Sequence, residues 1–102
     1  MHRQTTKNIK TMIKIGEINY SMGLDDMCFP TLSTCKCLGY SGGYYLIETD
    51  GIKISIDAKD AIHYSTNKDE ILHRCVQEIK KWETEIGGKA NCEMRKRYPQ
   101  LF

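Results

Sequence analysis

The sequence lacks any long apolar run. Nowhere in its 102 residues is there a stretch approaching the roughly 20 apolar residues that a membrane-spanning helix needs. The order of basic, apolar and small residues that marks a signal peptide is also missing. These absences predict a chain that remains in the cytoplasm and does not enter a membrane.

Cysteines are few and unevenly spaced. The chain has 5 of them, an odd number, and only Cys35 and Cys37 are close together in the sequence. A small domain held together by disulfides usually has an even and denser set. The count therefore predicts reduced thiols, in agreement with a cytoplasmic location.

The motifs of several enzyme classes are missing too. The glycines within 39–43 lack the Lys-Ser/Thr pair of a P-loop, and neither Gly-x-Ser-x-Gly nor His-Glu-x-x-His occurs. Asp57, Asp60 and His63 follow a predicted strand at intervals of three, but aspartate is common at such points because it forms turns. We therefore expect a protein without enzymatic activity and without a cofactor.

The net charge of +2 hides an uneven distribution of charged residues. Residues 1–14 and 89–102 are basic, whereas residues 15–88 carry more acidic than basic side chains. A domain built around a nucleic-acid backbone would instead carry its basic residues on the folded face. The chain is therefore predicted to consist of a flexible basic arm (1–11), a single folded domain (12–88) and a basic C-terminal tail (89–102).

Alternation of apolar and polar residues predicts strands on both sides of Asp50-Gly51. This dipeptide is a strong hairpin signal, because a type I′ turn needs positive φ at both central positions. A two-residue loop places Glu48 opposite Lys53 and collects the apolar side chains on one face. The members of that face are Tyr45, Ile47, Ile52, Ile54 and Ile56.

The preceding hairpin has two alternative registers. A three-residue loop at 41–43 places Tyr40 opposite Tyr44 and turns Cys35 and Cys37 towards the apolar face. A two-residue Gly-Gly loop turns the two thiols to the other face instead. We favour the first register because it also pairs Lys36 with Glu48, and because a reduced cysteine behaves as a small buried hydrophobic residue.

A long amphipathic helix is predicted after the sheet. Its apolar residues recur every three or four positions, Thr66 or Asn67 caps its start, and Gly87-Gly88 ends it. We expect its apolar stripe to cover the isoleucine-rich face of the sheet. The predicted fold class is therefore α+β, an antiparallel meander of three to five strands with one C-terminal helix packed on one face.

The sheet face away from this helix is the predicted binding site. It combines tyrosines and leucines with surrounding charges, as protein–protein hot spots do. The alternative is that other segments cover this face and make it a second small core. The predicted partner-binding residues are Leu38, Tyr40, Tyr44, Leu46, Lys36 and Lys53.

The main alternative is a nucleic-acid-binding module that uses the basic ends of the chain, and the segment near the C-terminus is its candidate site. Arg95, Lys96 and Arg97 are able to contact phosphates, and Tyr98 is able to stack on a base. The competing interpretation is a basic end that keeps the protein soluble.

A second alternative is a zinc module made from Cys28, Cys35, Cys37 and His63. Residues two apart on a regular strand lie about 6.6 Å apart, whereas two thiolates on one zinc ion lie within roughly 4 Å of each other. We therefore expect buried thiols and no metal.

Taken together, these features predict a small non-enzymatic protein that binds another macromolecule. Another protein is the expected partner, and a homodimer is left open. Chains of this size without a catalytic constellation are often accessory or inhibitory proteins, and an anti-defence inhibitor of a phage or mobile element is one example.

Overall fold

The computed structural model describes residues 13–102, so the predicted basic arm (1–11) lies outside the described residues. The strands are β1 (Ile18–Leu24), β2 (Pro30–Ser41), β3 (Tyr44–Thr49) and β4 (Ile52–Asp57). The helices are α1 (Lys68–Ile86) and α2 (Glu93–Arg97), and 3₁₀ turns span Ala58–His63 and Pro99–Leu101. The strands are antiparallel and adjacent in chain order, which confirms the predicted α+β meander with one long helix.

Two hairpins close with two-residue loops. Asp50 and Gly51 have φ of 52° and 77°, as the type I′ turn predicted from Asp-Gly requires. Gly42 and Gly43 have φ of 57° and 86° and join β2 to β3 in the same way. Glycine adopts positive φ without a steric penalty, so the Gly-Gly pair selects the shorter of the two loops considered for this hairpin.

The register between β2 and β3 combines features of both predicted alternatives. Because the loop has two residues, Tyr40 lies opposite Tyr45, and the predicted pairing of Tyr40 with Tyr44 is wrong. Leu38 is an extra residue without a partner on β3, and this bulge shifts the register by one. Beyond the bulge the predicted register holds, and Cys37 is completely buried as expected.

α1 packs on the face of the sheet opposite to the isoleucines. Tyr20 of β1 and Leu32 of β2 pack against the cluster that holds the buried side of the helix, and the helix contacts both strands. Cys35 and Cys37 alternate with these positions, point the other way and pack with Ile47 in a separate cluster. The expectation that the helix covers the isoleucine-rich face is therefore wrong. We call the two sides of the sheet the helix face and the isoleucine face.

The chain reaches the helix face by passing around the outer edge of β1. The 3₁₀ turn at Ala58–His63 first covers the isoleucine face, where Ala61 is buried. Ser65 then pairs with Tyr20 at the edge of β1, with N–O distances of 2.7 and 2.9 Å. α1 begins only after this crossing, so its apolar stripe meets β1 and β2 from the other side.

α1 has the predicted caps. The side chain of Asn67 accepts a hydrogen bond from the Glu70 N–H (3.3 Å), and Gly87 ends the helix with a φ of 83°. No helix in the described part of the chain is long and apolar enough to cross a membrane.

The fold contains two hydrophobic clusters on opposite sides of the sheet. We call the larger one, on the helix face, the helix core, and the smaller one, on the isoleucine face, the sheet core. The helix core consists of Ile71, Leu72, Cys75, Val76, Ile79, Ala90, Cys92 and Met94. The sheet core consists of Ile13, Cys35, Cys37, Ile47 and Ala61. Three helix-core residues follow residue 88, so part of the segment 89–102 packs against α1.

Candidate interaction surface

The half of the sheet that α1 leaves uncovered carries an exposed apolar patch. Tyr44 and Leu46 of β3 are 52% and 38% exposed. Gly39 of β2 and Ser55 of β4 lie directly opposite Leu46 on its two sides. These four residues, which we call the tyrosine patch, line a shallow depression of about 400 Å³ together with Tyr40 and Ser41.

Strand alternation assigns the tyrosine patch to the helix face. Leu32 contacts the helix core, and Lys36 follows it at an even spacing on β2. Glu48 lies opposite Lys36, and Leu46 and Tyr44 follow Glu48 in steps of two along β3. The patch therefore lies beside α1 on the same face, and the predicted location on the face away from the helix is wrong.

A row of alternating charges borders the patch. Lys36, Glu48 and Lys53 lie opposite one another on β2, β3 and β4, as the sequence predicts. Each opposite-charge pair across two strands stabilises the sheet by roughly 0.2–1 kcal/mol. The row has one more positive than negative charge, and Asp57, opposite Tyr44 on the same face, adds a negative charge to the polar border of the patch.

The six predicted partner-binding residues do not form a single surface. Tyr40 lies on the isoleucine face, where its ring packs against Tyr45 at a tilt of 55°, with centroids 4.7 Å apart. Leu38 is the bulge residue and is 37% exposed. Tyr44, Leu46, Lys36 and Lys53 remain together on the helix face. The bulge separates the set, because it changes the side to which Tyr40 points.

The basic segment near the C-terminus is largely engaged in packing and ion pairs. Glu83 of α1 accepts two hydrogen bonds from the Arg95 guanidinium, at 2.6 and 2.8 Å. The same guanidinium lies 4.4 Å from the centroid of the Phe102 ring. Arg97 pairs with Glu93 at 3.0 Å, and Tyr98 packs against the helix core.

Carboxylates at two points hold this segment against the rest of the fold. Hydrogen bonding from Arg95 lowers the pKa of Glu83 to about 2, and a further bond from the Ala90 N–H acts in the same direction. Asp25, in the turn between β1 and β2, accepts a hydrogen bond from the Glu93 N–H at 2.9 Å. Burial raises the pKa of Asp25, but bonds from backbone N–H groups, including that of Glu93, outweigh this effect and leave the pKa below its usual value.

The four residues of the zinc alternative lie in different environments. Cys28 is exposed in the turn between β1 and β2, whereas Cys35 and Cys37 are buried in the sheet core. His63 is exposed at the end of the 3₁₀ turn. Across residues 13–102, no three His, Cys, Asp or Glu side chains are grouped so that they could hold a metal ion. Burial raises the pKa of the Cys35 thiol, and Cys37 beside it adds to the effect.

Asp57, the first of the three residues spaced three apart after the strand, has a structural role. The Asp57 carboxylate accepts a hydrogen bond from the Lys59 N–H at 3.0 Å and caps the 3₁₀ turn. Aspartate is common at the end of a strand because it forms turns in this way.

A larger depression, of about 510 Å³, lies between the β1–β2 turn and α1. Phe29 of the turn meets Trp82 of α1 edge to face, with ring centroids 4.8 Å apart. Sequence periodicity assigned Trp82 to the buried stripe of the helix, yet it is 37% exposed. The sequence gives no signal for this depression, because it depends on where the turn meets the helix.

The fold and its surfaces define a small α+β protein whose single long helix covers one half of one sheet face. Comparison with known proteins assigns no family to this chain, since no family model, no curated protein and no solved structure matches it.

Proposed function

We propose that this protein is a non-enzymatic binding protein of the cytoplasm that contacts another protein through the tyrosine patch. Its small size and the absence of a recognisable catalytic motif in the sequence favour an accessory or inhibitory role. An anti-defence inhibitor of a phage or mobile element is one role of this kind.

The observation that carries the proposal is the exposure of Tyr44 and Leu46 beside a bordering row of charges. Tyrosine is enriched at the energetic centres of protein interfaces, where polar residues surround an apolar core. Gly39 leaves a depression next to these side chains that a partner's apolar side chain can enter. The combination of an aromatic ring, a leucine and a cavity is typical of an anchor site.

The state of the basic residues favours a protein partner over a nucleic acid. A phosphate-binding surface needs cationic side chains that are available to phosphates. Here Glu83 binds Arg95 and Glu93 binds Arg97. The Arg95 pair is partly buried and occupies that guanidinium, whereas the Arg97 pair lies at the surface and is weak.

Tyr40 and Tyr44 provide a matched pair of variants to test the proposal. Both are 52% exposed, and they lie on opposite faces of the same hairpin. In affinity capture from the native host followed by quantitative mass spectrometry, we expect Tyr44→Ala to weaken binding of a specific partner by about thirtyfold, as loss of a hot-spot residue does. Tyr40→Ala should weaken binding much less, because Tyr40 borders the depression but its ring packs against Tyr45 on the isoleucine face. Circular dichroism would check that both variants are folded.

A variant that adds volume tests the depression itself. A Cβ atom at Gly39 or at Gly88 would meet no other atom within 4 Å, and neither residue has a positive φ. Gly39→Val should therefore fold normally and block the partner. Gly88→Val should also fold normally but should leave partner binding unchanged. Binding that survives both Tyr44→Ala and Gly39→Val would contradict the proposal. Binding that falls steeply with added salt would instead support the nucleic-acid alternative.

A further inference from the structure

Within the described part of the chain, the outer edge of β4 pairs with no other strand. β4 is the last strand of the sheet, and no other strand within residues 13–102 pairs with its outer side. At the opposite end of the sheet, Ser65 pairs with Tyr20 and covers part of the edge of β1. An edge strand presents a row of N–H and C=O groups to which another strand is able to bind.

The geometry of the hairpin determines which backbone groups of β4 point outwards. In a hairpin with a two-residue loop, the residues flanking the loop form a hydrogen-bonded pair, here Thr49 with Ile52. Even-numbered residues of β4 therefore bond to β3, and the bond from the Ala58 N–H to the Gly43 carbonyl (2.9 Å) continues this pattern. The outward groups accordingly belong to Lys53, Ser55 and Asp57.

The side chains of these residues permit one favourable pairing of β4 with itself. An antiparallel pairing centred on Ser55 places Lys53 opposite Asp57 of a second copy, twice in the symmetric dimer. Shifting the centre to Lys53 or to Asp57 places like charges opposite each other, which destabilises a sheet. A centre between these positions leaves the charges without opposite partners.

We propose that β4 pairs with β4 of a second copy of this chain, centred on Ser55, to form a continuous eight-stranded sheet. The same pairing places Ile54 opposite Ile56 of the other copy on the isoleucine face. Ile54 is 43% exposed in the single chain, so the dimer removes apolar surface from water and extends the sheet core across the interface. This inference does not rest on the proposed function, because it is argued from the outward backbone groups and the charge register of β4, although Ser55 also lines the tyrosine patch.

Cysteine cross-linking tests the register directly. In the proposed dimer the two copies of Ser55 form a hydrogen-bonded pair with Cα atoms about 5.5 Å apart, within reach of a disulfide. The two copies of Lys53 lie four residues out of register, about 14 Å apart, and out of reach. In a Cys28→Ser background, which removes the exposed thiol, oxidised glutathione should cross-link Ser55→Cys and leave Lys53→Cys monomeric on a non-reducing gel. Equal cross-linking of the two variants, or none in Ser55→Cys, would overturn the proposal.

Sedimentation velocity over a range of concentrations tests the dimer without cross-links. We expect the native sequence to reach twice the mass of one chain. Ser55→Pro removes the central outward N–H and leaves the bonds to β3 in place, so it should make the protein monomeric, whereas Ser55→Thr should remain dimeric. Asp57→Asn keeps an acceptor for the Lys59 N–H but removes the charge, and should raise the dissociation constant roughly threefold to tenfold. A native chain that stays monomeric at all concentrations would overturn the proposal. Lys53 would then be a charged residue that prevents pairing at the edge of the sheet.

Discussion

The two halves of the sheet differ in what covers their helix face. Over β1 and β2, α1 and the C-terminal segment bury a core of eight residues, and ion pairs hold that segment in place. Over β3 and β4 the same face is not covered by α1, and Tyr44 and Leu46 are exposed. The isoleucine face of this second half has only the small sheet core beneath it.

This difference separates the residues that stabilise the fold from those available for binding. The stability of a small domain comes mainly from buried apolar area, and here most of that burial involves α1. The exposed apolar residues of β3 and β4 contribute less to folding, since 38–62% of the surface of each still contacts water. A substitution there is therefore expected to alter binding while leaving the fold intact.

The largest expected effect is the loss of a helix-core side chain. Ile79 is completely buried, so Ile79→Ala should lower the free energy of unfolding by about 2–5 kcal/mol through lost burial and the cavity that remains. Ile52, in the second half, is 62% exposed, and Ile52→Ala should cost less than about 1 kcal/mol. Urea denaturation of both variants measures the contrast. Equal losses of stability would mean that the two halves do not differ as described.

An intermediate effect is expected from Glu83, which links α1 to the C-terminal segment. Glu83→Gln removes the charge that binds Arg95, and should lower the Tm by roughly 5–10 °C at neutral pH. Glu85→Gln, on an exposed position of the same helix, is the control and should change the Tm little.

The pH dependence of this effect follows from the lowered pKa. The pKa of Glu83 is about 2 in the folded protein, whereas its ordinary value is 4.5. The contribution of Glu83 to the stability of the fold is therefore fully present above pH 4.5. That contribution is lost as the pH falls towards 2. Thermal denaturation should therefore show the difference between the native sequence and Glu83→Gln shrinking over this interval. A difference that stays constant down to pH 2 would contradict the ion-pair explanation.

Local signals predicted the elements that depend on neighbouring residues. Asp50-Gly51 fixed one hairpin because few residues other than glycine and aspartate or asparagine tolerate positive φ there. The apolar spacing in 68–86 and the caps at Asn67 and Gly87 identified α1. The row of Lys36, Glu48 and Lys53 followed from the same register, and the structure bears it out.

Local sequence patterns could not predict on which side of the sheet α1 packs. It depends on the crossing at Ser65, where the chain passes the edge of β1, and a single bridge of this kind leaves no periodic pattern. The position of Tyr40 was missed for a related reason. Because of the bulge at Leu38, the hairpin has a two-residue loop and the cysteines are still buried. A leucine at this position does not predict a bulge.

The smallest expected difference concerns how easily the two cores open. Each core holds two buried cysteines, Cys35 and Cys37 in the sheet core and Cys75 and Cys92 in the helix core. Burial raises the pKa of Cys75 to about 11, and also raises the pKa of Cys35 and Cys37, so the closed protein protects these thiols from alkylation. Labelling of a buried thiol therefore reports opening of the core around it.

We expect the exposed Cys28 to react first with iodoacetamide, the sheet-core thiols next and the helix-core thiols last. The sheet core is smaller and is bounded by a single 3₁₀ turn, so its local opening should cost less free energy. A difference of one to two kcal/mol corresponds to rates that differ by roughly five- to thirtyfold. Mass spectrometry of each cysteine peptide over time measures these rates, and labelling in denaturant corrects for intrinsic reactivity. If all four buried thiols reacted at one rate, the two halves would unfold as one cooperative unit, and the contrast between them would be one of exposure alone.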